Sequence, residues 1–411
     1  MSSDTLNENQ SLTDSSLQSN HPPQKFLLHV VGAVAFAHLL NDSIQAIITA
    51  SYPMLKSAFS LNFTQIGWIA LIYQLTASLL QPWIGLYTDK HPKPYLLPVG
   101  MVITLLGIAL MAFATNFSML LIAAALIGVG SSTFHPEASR IARLASGGRF
   151  GTAQSLFQVG GNTGSALGPL LAAAILIPNG QYAFAWFILL AGLAVWVLLR
   201  VTRWRITHAS ALLAASAKRS VSVLNPKQIT RAIIVICILL FAKFIYIAAI
   251  SNYFTFYLIE RFQLSIQTSQ LYLFAFLGSV ALGTFFGGPI GDRIGRKAVI
   301  WVSFLGAIPF ALMLPYANLT WTAILVMFVG LIISSAFSAL VVYAQEAMPG
   351  RVGMISGVMF GLMFGISGLG AAGLGHLADL YGIHWVYQLC SFLPLLGLVT
   401  FLLPDTRAKQ A

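Results

Sequence analysis

Gly85-Leu86-Tyr87-Thr88-Asp89-Lys90 returns later in the chain as Gly288-Pro289-Ile290-Gly291-Asp292-Arg293-Ile294-Gly295-Arg296-Lys297, the two aspartates lying 203 residues apart. A second pair of landmarks, Gly148-Arg149-Phe150-Gly151 and Gly350-Arg351-Val352-Gly353, repeats at an offset of 202 residues. Two independent motifs at one spacing mark a chain built from two similar halves. Working outward from them, each motif closes or opens an apolar run. Crossing about 30 Å of hydrocarbon takes about 20 apolar residues, and such runs lie near 26–52, 64–86, 95–115, 117–140, 152–177 and 182–201. A second set of six follows near 230–259, 268–290, 298–316, 320–345, 353–377 and 383–403. The expected fold is an all-α membrane protein of twelve transmembrane helices in two six-helix repeats, with a substrate site between the halves near the midplane.

Composition agrees. With 57% hydrophobic and 8% charged residues, the chain falls far below the roughly 25% charge that keeps a soluble domain hydrated. The 35 glycines suit close helix approach in lipid, and the 28 phenylalanines suit lipid-facing positions. A formal net charge of +11 would suggest nucleic acid only on a solvated basic domain, and the sequence offers none, so no nucleic-acid partner is expected. The charge instead follows topology. Lys90/Lys93, Arg140/Arg143/Arg149, Arg200/Arg203/Arg205/Lys218/Arg219/Lys227, Arg293/Arg296/Lys297 and Arg351 all follow even-numbered spans, while the opposite loops carry little beyond Lys56 and Arg261. The positive-inside rule then places both termini in the cytoplasm. Boundaries are expected at 1–24 (a polar, disordered tail without the apolar run of a signal peptide), 25–202 (first bundle), 203–228 (an amphipathic linker), 229–405 (second bundle) and 406–411 (a tail). Cys237 and Cys390 lie in apolar runs without zinc-like spacing, so no metal or cofactor is expected.

The loop signature resembles that of the major facilitator superfamily, in which a glycine is followed by Asp-Arg and then Gly-Arg with a further basic residue; Gly288 to Lys297 matches almost fully. The first copy departs from it, with Lys90 in place of arginine and His91-Pro92-Lys93-Pro94 in place of the glycine and basic pair. A closer resemblance, over about 26–405, is to the bacterial fosmidomycin resistance proteins. It is carried by AHLLNDSIQAIITASYPML (37–55), FHPEASRIARLASGGRFG (134–151), QSLFQVGGNTGSALGPLLAA (154–173), SNYFTFYLIERFQLSIQ (251–267) and FLPLLGLVTFLLPD (392–405). That resemblance implies an inner-membrane exporter that exchanges protons for small drugs, the phosphonate fosmidomycin among them, working as a monomer.

Charged groups inside spans cost on the order of 3 kcal/mol each on insertion scales, so each calls for a reason. In the first span His38, Asn41, Asp42 and Gln45 follow an i, i+3, i+4, i+7 pattern and share one face, which should line a cavity. A partly desolvated carboxyl there could load and release one proton per cycle, with His38 and Glu137 as accessories; the alternative is a structural Asp42 bonded to neighbouring amides or to Lys243. In the fourth span, His135 and Arg140 are candidates for substrate contact, and Glu137 and Arg140 have the spacing to pair. The second half offers Lys243, which the repeat maps beside Asp42, together with Tyr246 and Tyr253 on one stripe. A phosphonate needs a cation, and Lys243 is the deepest one; an aromatic stripe is also ordinary packing. The fifth span sets Gln154, Gln158 and Asn162 at four-residue intervals among Gly160, Gly164, Gly168 and Pro169, a series that resembles the antiporter motif of drug-exporting facilitators and would let a neighbouring backbone approach closely. Gly85, Asp89, Lys90, Gly288, Asp292, Arg293 and Arg296 are candidate gating residues. An aspartate at a helix C-terminus is poorly placed unless it faces the positive end of another helix, so Asp89 should meet the start of the eleventh span and Asp292 the start of the fifth.

Gly368-Leu369-Gly370-Ala371-Ala372-Gly373 spells GxGxxG inside an apolar run with no preceding strand, and no P-loop, GxSxG or HExxH is present. The chain is therefore not read as an enzyme or an ATP-driven pump. An exchanger or symporter for an organic phosphate or another small metabolite remains the alternative, since residues do not give the direction of transport.

Overall fold

The computed structural model describes residues 26–51, 54–55, 58–61, 63–208, 224–264 and 266–405. Both tails and most of the 203–228 linker, with Lys56, Lys218 and Arg219, fall outside the described residues. One half comprises α1 (Leu28–Ala50), α2 (Phe63–Lys90), α3 (Leu96–Ala112), α4 (Phe117–Leu144), α5 (Phe150–Leu171) and α6 (Gln181–Thr207). The other comprises α7 (Pro226–Phe262), α8 (Ile266–Ile294), α9 (Arg296–Met313), α10 (Leu319–Ala347, broken at Ser335), α11 (Val352–Tyr381) and α12 (Ile383–Leu402). Among the described residues, nine of these are long and apolar enough to cross a membrane, and α3 is apolar at 17 residues. The chain is a multi-pass membrane protein. Large side chains such as Trp186, Leu189, Leu369 and Phe401 point outward, as lipid contact requires.

The duplication reaches the backbone. Asn116 and Asn318, 202 residues apart, each accept from a backbone N–H three residues on (Met119 and Trp321, both 3.0 Å) and start α4 and α10 alike. Gly148 and Gly350 (φ 92° and 86°), and Gly180 and Gly382 (φ 71° and 83°), turn the chain at equivalent points in conformations that only glycine adopts without strain.

Packing of the buried residues is asymmetric along the bundle. At the end that carries the loops after α2, α4, α8 and α10, here the basic end, one apolar core runs across both halves, joining Val31, Phe134 and Phe157 to Phe337, Met359 and Phe360. Away from it the cores separate: Ile44, Tyr73, Ile127 and Phe184 pack within the first half, and Tyr246, Phe254, Phe276 and Tyr387 within the second. The apolar cores are thus joined at the basic end and separate beyond it, while α2 still meets α11 further along, where a Cβ on Gly368 would fall 2.5 Å from Gln74 Oε1.

Candidate transport site and its gate

The face expected on α1 forms and collects partners from three helices. His38 stacks on Phe157 of α5 with ring centroids 4.1 Å apart, and its Nδ1 lies 2.7 Å from the Phe157 carbonyl oxygen. A carbonyl only accepts, so Nδ1 carries the hydrogen and Nε2 is left to face Asp42, whose Oδ2 is 3.2 Å away. Asp42 Oδ1 accepts from Asn41 Nδ2 at 3.0 Å, and His135 Nε2 of α4 lies 3.8 Å from the same oxygen. Gln45 turns away from this trio, donating to Ser131 Oγ at 2.9 Å and accepting from the Tyr73 hydroxyl.

The trio faces the other half. His135 packs on Phe360 and Phe364 of α11, with ring centroids 4.9 and 5.4 Å apart. Asp42 keeps 13% of its side chain exposed while both histidines are buried. Gly161 leaves the room, because a Cβ there would collide with His38 Nε2 and come within 2.8 Å of Asp42 Oδ2. Asn162 donates to Thr284 Oγ1 of α8 at 3.0 Å, a polar tie between the halves, and Gln158 is buried with its Oε1 lacking a hydrogen-bond partner among the described residues.

In the second half Lys243 is buried, and its Nζ donates to the Ser334 carbonyl at 3.3 Å, where α10 breaks. The rings of Phe244 and Phe337 lie 5.6 and 5.4 Å from the ammonium. Lys243 makes no ion pair with Asp42, so the structural alternative for Asp42 that relied on Lys243 does not hold here. Tyr246 is buried with no hydrogen-bond partner for its hydroxyl among the described residues, and Tyr253 is half-buried.

Glu137 and Arg140 sit in a setting of their own. The Glu137 carboxylate, fully buried, meets Arg205 at 2.7 Å and Arg140 at 3.1 Å. Arg140 also donates to the Thr88 carbonyl at 2.8 Å and pairs with Asp89. Asp89 in turn accepts from Gly353 N at 2.9 Å and Met354 N at 2.8 Å, the first amides of α11. Both residues are therefore bound into the contact between Asp89 and the start of α11 rather than into the cluster around Asp42.

The second copy of the motif makes the reciprocal contact. Asp292 accepts from Gly151 N at 2.9 Å, from Thr152 N at 2.7 Å and from the Thr152 hydroxyl at 2.6 Å, at the start of α5. Arg296 pairs with Asp292 at 2.7 Å and reaches Glu346 at 3.3 Å. Each aspartate thus leaves the negative end of its own helix for the positive end of a helix in the other half. Glycine permits the approach, since a Cβ at Gly85 or Gly288 would strike the carbonyl of Gly353 or Gly151. Lys90 and Arg293 are exposed beside these contacts. Gly160, Gly164 and Gly168 pack α5 onto Ala35, Leu39 and Ala46 of α1, so this series closes a seam within one half; the backbone at Pro169 stays helical.

Several participants escaped the sequence reading. Arg205 looked like one more loop charge. Ser139 bonds Gln154 at 2.8 Å, Gln345 bonds Ser356 at 2.9 Å, and Arg143 donates to Gln345 at 3.0 Å, forming a buried polar seam between the halves at the basic end. Serines carry no distinctive sequence signal there; only their nearness to the two copies of the Gly-Arg-x-Gly motif brings Thr152 (first copy) and Ser356 (second copy) into view.

Twelve helices in two similar halves, tied by reciprocal aspartates around a polar midsection, define a transporter fold. A profile of the Major Facilitator Superfamily matches residues 34–372 and 281–411, and the chain belongs to that superfamily. It is 55% identical to the fosmidomycin resistance protein of Escherichia coli K12 over 384 residues, 93% of this chain and 94% of that one. It is also 44% identical to the MFS-type transporter YfnC of Bacillus subtilis over 375 residues, 90% of this chain and 92% of that one. Among solved structures, the fold matches the transporter FucP in its outward conformation (TM-score 0.73, 14% identity, 92% of this chain and 98% of that one) and the human organic anion transporter MFSD10 (TM-score 0.74, 16% identity, 93% and 100%). It is a membrane transporter of small molecules, and its relatives indicate no catalytic family.

Proposed function

We propose that this protein exports small anionic drugs in exchange for protons, with fosmidomycin as the first substrate to test. It would act as a monomer in the bacterial inner membrane, with its basic end and both termini in the cytoplasm. The observation that carries this reading is the joining of Asp42, His38 and His135 facing the other half, where the apolar core shared by both halves gives way to two separate ones. A carboxylate and two imidazoles in one partly open pocket are suited to holding a proton that another ligand can displace. The excess of basic residues on the fused end supports a cytoplasmic setting for it.

In this reading the described state is closed to the cytoplasm. Asp89 and Asp292 hold the closed end, and the space between the separate cores opens outward. Protonation at the Asp42 cluster from outside would favour the return to the inward-open state, where drug displaces the proton. Lys243, with its ammonium beside the break in α10, is the cation proposed to attract a phosphonate, assisted by Asn41, Gln45, Gln158, Asn162, Tyr246 and Tyr253. Gly85, Lys90, Gly288, Arg293 and Arg296 serve the gate, with Glu137 and Arg140 backing Asp89. Lys243 would serve an organic phosphate equally well, which keeps exchange or symport of such a metabolite as the second reading.

The test is drug susceptibility. Cells overproducing the protein should tolerate more fosmidomycin than cells carrying an Asp42→Asn variant expressed at the same level. Equal sensitivity, with both proteins present in the membrane, refutes the drug-export reading.

A further inference from the structure

His38, Asp42 and His135 come from α1 and α4, 97 residues apart at their extremes, yet their ligand atoms all lie within 4.8 Å of one another. Three features make the cluster more than a meeting of polar groups. The His38 ring is locked by its Nδ1–H to the Phe157 carbonyl at 2.7 Å, the kind of bond that fixes the tautomer of a metal-bound imidazole and turns Nε2 toward Asp42. His135 is 1% exposed, and its Nε2, aimed at Asp42 from 3.8 Å, has no hydrogen-bond partner among the described residues. Gly161 holds open the space over His38 Nε2 and Asp42 Oδ2 that any side chain would fill.

We propose that this trio is a binding site for one divalent transition-metal ion of the zinc class. Two nitrogens and one carboxylate are a ligand set for zinc, cobalt or nickel. With metal–ligand bonds of about 2.1 Å, tetrahedral ligands stand roughly 3.4 Å apart; His38 Nε2 is 3.2 Å from Asp42 Oδ2 and His135 Nε2 is 3.8 Å from Asp42 Oδ1, and one ligand atom from each residue fits within 4.8 Å, so the set must contract to hold an ion. Binding would draw His135, whose ring meets Phe364 edge to face at 5.4 Å, toward the other two ligands. The fourth position faces the space between the halves, where an anionic oxygen of a transported molecule would complete the coordination. Sequence spacing gives no hint of the site, because its ligands do not form a local motif.

A metal ion on these atoms and a proton on Asp42 exclude each other, so metal binding would compete with the proton loading proposed above; the test reads metal binding alone and does not depend on the direction of transport or on the drug. The protein is purified in detergent with a tag free of histidine and titrated with cobalt chloride at neutral pH. The readout is the visible d–d absorption of a four-coordinate cobalt ion. One equivalent should bind, zinc should displace it, and His135→Ala and Asp42→Asn should each abolish the band. His376→Gln, on the exposed surface of α11, should leave it unchanged. Gly161→Ala keeps all three ligands and crowds the space between them, so it should weaken binding at least tenfold in a protein that still elutes as the wild type on size exclusion. No cobalt band, or a band that survives both ligand replacements, overturns the proposal.

Discussion

Asp292→Asn isolates the charge of one latch while keeping its shape. In the closed state this carboxylate receives two amides and a hydroxyl from the start of α5 and a guanidinium from Arg296, with 12% of its side chain exposed. Asparagine keeps one acceptor oxygen and turns an NH2 toward donors. Charge-assisted hydrogen bonds contribute about 1.5–3 kcal/mol each, and a favourable contact with a helix N-terminus up to about 2 kcal/mol. Opening returns all these groups to water, which offsets much of the difference, so a net shift of about 2 kcal/mol is reasonable for two weakened bonds. At about 1.4 kcal/mol per factor of ten, the closed-to-open ratio should fall roughly 30-fold. The assay uses Ser356→Cys, placed in the buried seam, in a background with Cys237 and Cys390 replaced by serine. In right-side-in and inverted vesicles, a maleimide added from the basic side should label this cysteine much faster once Asp292 is asparagine. A labelling rate within twofold of the parent would refute the reasoning.

Gly288→Leu places a side chain against the Gly151 carbonyl and should keep the basic end from closing, so transport is lost while the protein still reaches the membrane; normal transport would show that the approach is not needed. Glu137→Gln leaves Arg140 and Arg205 facing each other without their carboxylate, and removing one partner of a buried ion pair typically costs about 3–5 kcal/mol. Its thermal unfolding in detergent should begin at a clearly lower temperature, and an unchanged melting curve contradicts the structural role. Lys243→Gln should weaken binding of anionic substrates at least tenfold more than neutral ones, and equal losses would make Lys243 a packing residue.

The repeat was legible because both motifs need glycine and aspartate at backbone contacts, and such needs survive at fixed spacing. For the same reason the exchange of aspartates between halves could be argued from helix ends alone. The face of α1 was readable from its 3.6-residue period, whereas its partners were not: His135 reaches Asp42 only through the packing of α4 on α1. Arg140 was grouped with His135 because both lie in the fourth span, although one further turn carries its guanidinium to Asp89 and Glu137. The repeat maps Lys243 to the position beside Asp42 in the other half, yet Lys243 donates to the Ser334 carbonyl and not to Asp42. Repeat equivalence places residues in corresponding positions of two halves, and contact between them is a separate matter. The polar seam of Ser139, Gln345 and Ser356 was invisible because single serines in apolar helices usually bond their own backbone.

The claim on which the account rests is that Asp42 couples drug movement to protons. Purified protein in liposomes, with its basic end facing the bath, should accumulate fosmidomycin when the interior is made acid, and accumulation should collapse when the gradient is dissipated. Asp42→Asn should retain exchange of labelled for unlabelled drug and lose its response to the gradient. Gradient-driven accumulation in that variant at the wild-type level would contradict the account.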